Sequence, residues 1–473
     1  MIKSIRLSLI LAVVFVIMAR YHASPEAPIS QKLERLHEGF FGDTAQFRSK
    51  LIHQRIIEHN QFIKSRKIKI HKLKKMSSSV YNFYRATNHI FCADIQTGLI
   101  NLPKGWDSKE LSSWIVGDLH LGNVSYLKNT KSEDNISTQY FIDDYDEAMI
   151  LPITLDLFRL LVSIELMSDE LGFRIGKLKR LELYEAALQK YRQTIQESPS
   201  NVPKAYQGKL KSSKPQIQIQ ESESRQKLLK KWTYARKGRR MFQTNNKSLA
   251  KVDASISKIL RDKWSLLLRE LSATDSRELK IMDMRYRLRS GLGSLGVEKI
   301  YLLVSGPSAS LKDDRIIELK EQRDSSYSSN NPTLMSIFKN TYPTNKALRN
   351  LKAQVAMRGG LSRFENHIQI GSKYYLIKEL SPDERGIRPD VFKSKDDFER
   401  VIIMTADLIA KYHLRARNNL YFSTTKFRRH VEKYLSATIP DLVAKSVEYA
   451  EQVKLDHHLF DSKLDKILND ANW

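Results

Sequence analysis

Between Trp114 and Leu160 the chain reads WIVGDLHLGN, then YFIDDYDEAM, then LDLFRL, and these strings limit what the rest can build. They place Asp118, His120, Asn123, Asp143, Asp144, Asp146 and Asp156 in one segment flanked by short apolar runs. Residues 113–116 and 140–142 read as brief strands, each ending where the acidic residues begin. Residues 155–167 read as a largely buried helix. Polar groups in the loops after strands are where many active sites are assembled. Two carboxylate-bearing loops with an Asn and a His between them suit a divalent cation beside a proton acceptor. Magnesium takes oxygens from one or two carboxylates and from substrate phosphates, and phosphoryl transfer also needs a carboxylate to orient the attacking hydroxyl. Asp118 fills that role, with His120 beside it, while Asn123 and Asp144 are the metal ligands. The structural alternative is a polar loop whose Asp and Asn residues cap turns.

At 473 residues the chain exceeds one ordinary core, which predicts two lobes or domains. With 79 Lys+Arg against 53 Asp+Glu the net charge is +26, which favours anionic partners: phosphorylated substrates, a membrane surface or another polyanion. Direct nucleic-acid binding is the disfavoured member of that set. Lys3 and Arg6 precede an apolar run over residues 7–19 and the small residues of HASPEAP, the layout of a secretory signal. Residues 1–24 are therefore expected to be a signal peptide of an exported protein, periplasmic or secreted. A single amino-terminal membrane anchor is the alternative, although the run is shorter than the ~20 residues of a comfortable span. One cysteine, Cys92, excludes an internal disulfide framework and a Cys-based zinc cluster.

Residues 25–75 read as a basic helical region ending in KSRKIKIHKLKKM, a solvated helix or linker. The aromatic cluster at 79–85 reads as core. Leu181, Leu183, Tyr184, Leu188 and Tyr191 mark an amphipathic helix over 175–197. Residues 198–224 have loop composition, with a short alternating strand at 216–220, and residues 225–240 read as a basic helix. Further on, Gly291, Gly293 and Gly296 sit between two strand-like runs. Glycines there let backbone N–H groups approach phosphate oxygens. A lone G-x-G-x-x-G is weak evidence, and a strand rather than a helix follows, which disfavours a dinucleotide site. A hairpin is what a kinase glycine-rich loop needs; a plain hairpin is the alternative. Residues 315–320 form a strand ending in Lys320, a compact cation able to reach phosphates, and Lys378 in KYYLIKEL competes for that role. Residues 359–365 read as a turn and 398–417 as a helix whose His413 serves packing or capping.

GDLHLGN with IDDYDEA and LDLFRL resembles the catalytic and metal-binding loops of aminoglycoside phosphotransferases and related kinase-like enzymes. The order of KMSSSVYNFYRAT, WIVGDLHLGNVS, YFIDDYDEAMILPITLDLFRLLVS, RSGLGSLGVEKIYLLV, RIIELKEQ, KYYLIKEL and IAKYHLRAR is similar to the bacterial family called domain of unknown function 2252. These pieces span residues 75–417. The resemblance implies an α+β, two-lobed protein-kinase-like, aminoglycoside-phosphotransferase-like fold. It implies Asp118 as catalytic-loop aspartate, Asn123 and Asp144 as magnesium ligands, Asp156 as the helix aspartate bracing the loop, and Asp146 as further support. Gly291, Gly293, Gly296 and Lys320 would bind ATP. Because they follow the catalytic segment, the lobe order is circularly permuted: a helical lobe at 76–280, a nucleotide lobe at 281–390 and carboxy-terminal helices at 391–473. Asp143 and Tyr145 depart from the usual kinase-like residues. The expected activity is ATP- and magnesium-dependent transfer to an unknown hydroxyl acceptor. The alternatives are a non-catalytic binding module for an anionic partner and a metal-dependent phosphoesterase, for which the usual GHxH string is missing.

Overall fold

A computed structural model describes residues 42–128, 138–172, 175–199, 208–209, 225–271, 279–288, 291–306, 308, 310–330, 344–361, 364–380, 384–387, 389, 392, 394–418, 420 and 423–469. The helices are α1 (Gly42–Asn60), α2 (Arg66–Ser77), α3 (Val80–Ala86), α4 (Asn88–Gln96), α5 (Thr154–Leu171), α6 (Lys177–Glu197), α7 (Arg225–Trp232), α8 (Ala254–Leu271), α9 (Ser326–Asn330), α10 (Lys346–Arg358), α11 (Lys395–Asn418), α12 (Thr424–Asp461) and α13 (Leu464–Asn469). The strands are β1 (Ser112–Ile115), β2 (Val124–Lys128), β3 (Thr138–Ile142), β4 (Met149–Pro152), β5 (Gly208–Lys209), β6 (Thr233–Arg236), β7 (Arg239–Phe242), β8 (Leu249–Lys251), β9 (Ile281–Arg287), β10 (Lys299–Val304), β11 (Arg315–Gln322), β12 (Asn366–Ile370), β13 (Lys373–Glu379) and β14 (Glu384–Gly386). Every pairing among the described residues is antiparallel. The class is α+β, as the sequence implied. The chain divides into two compact units, residues 1–53 and 54–473. Of the first, only 42–53 are described.

The largest sheet runs β12-β13-β11-β10-β9-β8. Strand β10, near the centre, is apolar from Ile300 to Val304 because both of its faces are covered. Ile300, Leu302 and Val304 pack with Ile317, Leu319, Leu260 and Trp264 on one side. Tyr301 and Leu303 pack with Leu228, Leu229, Trp232 and Phe242 on the other. A second sheet runs β14-β2-β3-β5, and β1 pairs only with β4. Helix α5 is buried at every position from Thr154 to Ser168, including Asp156, Arg159 and Glu165.

Two expectations change. Residues 225–240 are not one helix: α7 stops at Trp232 and β6 and β7 form a hairpin. The turn is Lys237-Gly238, both at positive φ (51° and 70°), a two-residue connection that twists with its strands. Packing of Trp232 and Phe242 on Tyr301 overrides the helical propensity of the lysines and arginines. The basic run of residues 66–77 is helical, but Lys72, Leu73 and Met76 are buried, so α2 is docked rather than solvated. The signal-like segment at 1–24 and the strand expected at 216–220 lie outside the described residues. Among the described residues no helix is long and apolar enough to cross a membrane.

Candidate active site

The ribbon of β1 and β4 and the pairing of β2 with β3 bring two loops together, residues 116–123 and 143–148. The backbone N–H of Asp143 donates to the Asn123 carbonyl at 2.8 Å. Where the loops touch, Gly117 sits at φ +80°, and a Cβ there would lie 2.2 Å from the Glu147 carbonyl oxygen. Only glycine allows that approach.

The first loop is fixed from beneath by α5. Val116 and Gly117 donate their backbone N–H groups to the Asp156 carboxylate at 2.7 and 2.9 Å. Asp156 also lies 3.2 Å from His413 Nε2, and His413 Nδ1 lies 2.8 Å from the Tyr191 hydroxyl. His413, for which packing or capping was the commoner expectation beside a site role, is therefore part of the support. One turn along the same helix face, Arg159 takes Asp118 by two nitrogens, at 2.6 Å (Nε) and 2.5 Å (Nη2). Burial pushes the Asp118 carboxyl up to about 7, against the pull of that guanidinium. Arg159 is fully buried beneath the Tyr84 and Phe91 rings. His120 Nε2 stands 4.0 Å from Asp118, and burial and Arg85 hold its imidazole well below the ordinary value. Asn123 Nδ2 donates to the Asp118 carbonyl at 2.8 Å, which leaves Oδ1 as the acceptor end of the amide.

In the second loop Asp144 adopts φ +65°, a left-handed conformation Asp tolerates better than most residues. Lys320, from β11, sets its ammonium between Asp144 (3.1 Å) and Asp146 (2.5 Å). Burial works against each charge, yet Lys320 pulls the Asp144 carboxyl below its usual range. The two carboxylates in turn hold the Lys320 ammonium above its own. Asp146 is raised by burial and by Asp144, and it accepts from Gln322 (3.0 Å) and Asn350 (3.2 Å) as well. Glu147 accepts from the Ser326 N–H and from the hydroxyls of Ser325 and Ser326.

A cleft of about 280 Å³ opens over these loops, lined among others by Arg85, Gly122, Asn123, Asp143, Asp144 and Lys378. Lys378, on β13, faces Asp143 at 3.5 Å. Asp118, His120, Lys320 and the glycines of the β9–β10 connection are not among the residues that line it. In that connection Gly296, at φ +94°, is pressed by Ile63, whereas Gly291 and Gly293 face open space. Asn123 and Asp144 thus share one cleft and offer an amide and a carboxylate oxygen, donors that suit magnesium when phosphate oxygens complete its shell. Among the described residues no group of three His, Cys, Asp or Glu could hold a metal by itself. Sequence reasoning assigned no role to Arg159, although its place three residues after Asp156 was a signal. Arg85 was hidden in an aromatic cluster read as core, and Asn350 carried no signal.

Fold and site define the class: an α+β protein whose polar cleft joins two acidic loops to the lysine-bearing strands of an antiparallel sheet. The chain belongs to the family described as uncharacterized protein conserved in bacteria (DUF2252), whose model matches residues 66–463. No curated protein and no solved structure matches it.

Proposed function

We propose that the cleft is the active site of an ATP- and magnesium-dependent phosphotransferase acting on a hydroxyl acceptor. The observation that carries this reading is Lys320, a strand lysine placed between Asp144 and Asp146 beside a cleft that Asn123 lines. Supporting it is the order of elements. A hairpin of β9 and β10 with a glycine-bearing connection, then β11 with its lysine, then helix α10, is the sequence of parts a protein kinase uses around its nucleotide. Here that block follows the catalytic loop, so the two lobes are joined in permuted order. Asn350 of α10 holds Asp146, in the position where kinases use a helix glutamate on the lysine.

In this mechanism Asp118 accepts the proton of the acceptor hydroxyl as its oxygen attacks the γ-phosphorus. The bond to the β-phosphate oxygen breaks and ADP leaves. A carboxyl poised near pH 7 suits that task. Arg159 and Asp156 orient the loop, and Lys320 and Lys378 meet phosphate charge. Magnesium, held by Asn123 and Asp144, would neutralise charge on the transferred group.

One observation favours a second reading, a non-catalytic module that binds an anionic partner: Arg159 already occupies Asp118 Oδ1 with two N–H groups. Turnover of ATP with labelled γ-phosphate, in wild type and Asp118→Asn, separates the two. The phosphotransferase reading expects the variant to lose about 100-fold or more in rate, the usual range for a general base, while still binding nucleotide. Equal turnover in both proteins would contradict the role of Asp118, and binding without any wild-type turnover would favour the module.

A further inference from the structure

Each acidic side chain of the two loops that bears on the cleft is matched to a cation: Asp118 to Arg159, Asp143 to Lys378, Asp144 to Lys320. Arg85 is a cation with no such match. It lines the cleft from the end of α3, 5.6 Å from the Tyr81 ring centroid, with its Nε buried and unbonded. Its guanidinium forms no hydrogen bond or ion pair among the described residues. A second group is in the same state: His120 is 3 % exposed and its Nδ1 is buried without a partner. Both converge on one residue. A Cβ added at Gly122 would meet His120 Nδ1 at 3.1 Å and Arg85 Cζ at 3.3 Å. The Gly122 N–H is taken by the Tyr81 hydroxyl at 3.0 Å, so the open donors there belong to the Arg85 guanidinium.

Buried donors left unmade are costly, and an unpaired guanidinium presents a planar fork that matches carboxylate or phosphate oxygens two at a time. We propose that Arg85, with His120 beside it, binds an anionic group of the acceptor, a carboxylate or a phosphate ester, at the Gly122 end of the cleft. The word acceptor rests on the phosphotransferase reading. Under that reading the nucleotide phosphates belong with Lys320, Lys378 and the acidic turn, whereas Arg85 adjoins the loop that carries the base. An acceptor anchored there brings its hydroxyl toward Asp118.

The test is calorimetric titration of inorganic phosphate into the full chain without nucleotide, using wild type, Arg85→Ala, Arg85→Lys and Lys352→Ala. Phosphate binds the wild type, and Arg85→Ala weakens it by about tenfold or more, as expected for charge-assisted hydrogen bonds. Lys352→Ala, an exposed lysine of α10 outside the cleft lining, changes it by less than about threefold, since a surface charge at a distance contributes little. Should Arg85→Ala not fold, Arg85→Lys carries the test: it keeps the charge, loses the fork, and weakens phosphate by about threefold or more. Phosphate binding that persists at saturating ATP and magnesium assigns the anion to the acceptor. No binding to wild type, equal binding to folded Arg85→Ala, or displacement by ATP would overturn the proposal. The phosphotransferase reading fails separately, by absence of magnesium-dependent ATP binding, and that result leaves the phosphate titration standing.

Discussion

Lys320 and Arg323 lie three residues apart at the end of one strand, yet their surroundings follow opposite rules. At Lys320 one cation meets two carboxylates, and Gln322 and Asn350 satisfy what remains of Asp146. Around Arg323 cationic and aromatic groups crowd together, and the pull of Glu321, Asp324 and Glu147 does not offset its burial. Its guanidinium stands 3.5 Å over the Phe62 ring, Lys72 is 2 % exposed, and His59 stacks on His89 with ring centroids 3.9 Å apart. Burial, with Arg323 adding to it, lowers the Lys72 ammonium to about 7. Burial, Lys72 and Arg323 lower the His59 imidazole to about 3. At Lys320 the opposed charges hold one another, and such a site can be broken by removing one partner. Uncompensated bases instead give up their protons, so removing one costs little at neutral pH and acid puts the strain back.

The largest expected effect lies on the compensated side. Arg159→Met leaves the Asp118 carboxylate buried and alone, and urea unfolding should show a loss of about 3–5 kcal/mol. Lys320→Met brings Asp144 and Asp146 together without a cation. Because both acids are partly exposed, the loss should be smaller, about 2–3 kcal/mol in the same experiment. A loss near zero for either would mean that the pairing is not what holds the loops.

The basic cluster should answer to pH. The folded pKa of His59 lies below its unfolded value of 6.5, so the unfolded chain binds the proton first. Stability from this group is complete above about 6.5 and drains away as pH falls toward 3. Against wild type, His59→Gln should lose about 2 kcal/mol less between pH 7 and pH 5. Parallel pH profiles would break that half of the comparison. Smallest of all, Lys72→Met should be neutral or stabilising by about 1 kcal/mol at pH 7. A cost like that of Lys320→Met would erase the contrast.

Much of the candidate site was readable because its strands end where its acids begin. β1 and β3 each end in a short apolar stretch, and the loops after them carry Asp118 to Asn123 and Asp143 to Asp146. Helix α5 was readable from its unbroken apolar content. The choice between Lys320 and Lys378 was not, because it depends on register. Glu318 pairs with Lys378 and Lys320 with Leu376, and this offset sends one lysine to Asp144 and the other to Asp143. Arg159 looked like any helix arginine until Asp118 was placed against it. The docking of α2 was equally hidden, since a run with Lys or Arg at half of its positions gives no period that would single out Lys72. The β6–β7 hairpin turned on a Lys-Gly pair, a weaker signal than Asn-Gly.

The most direct test of the central claim is thermal unfolding of the full chain with ATP, with and without magnesium, in wild type and Asp144→Ala. A ligand that binds only the folded state must raise its stability, by about 2.7 kcal/mol at one hundred times its dissociation constant. A magnesium-dependent rise in wild type that vanishes in Asp144→Ala is the predicted result. No rise at millimolar ATP, or an equal rise in the variant, would contradict the assignment of this cleft to nucleotide and metal.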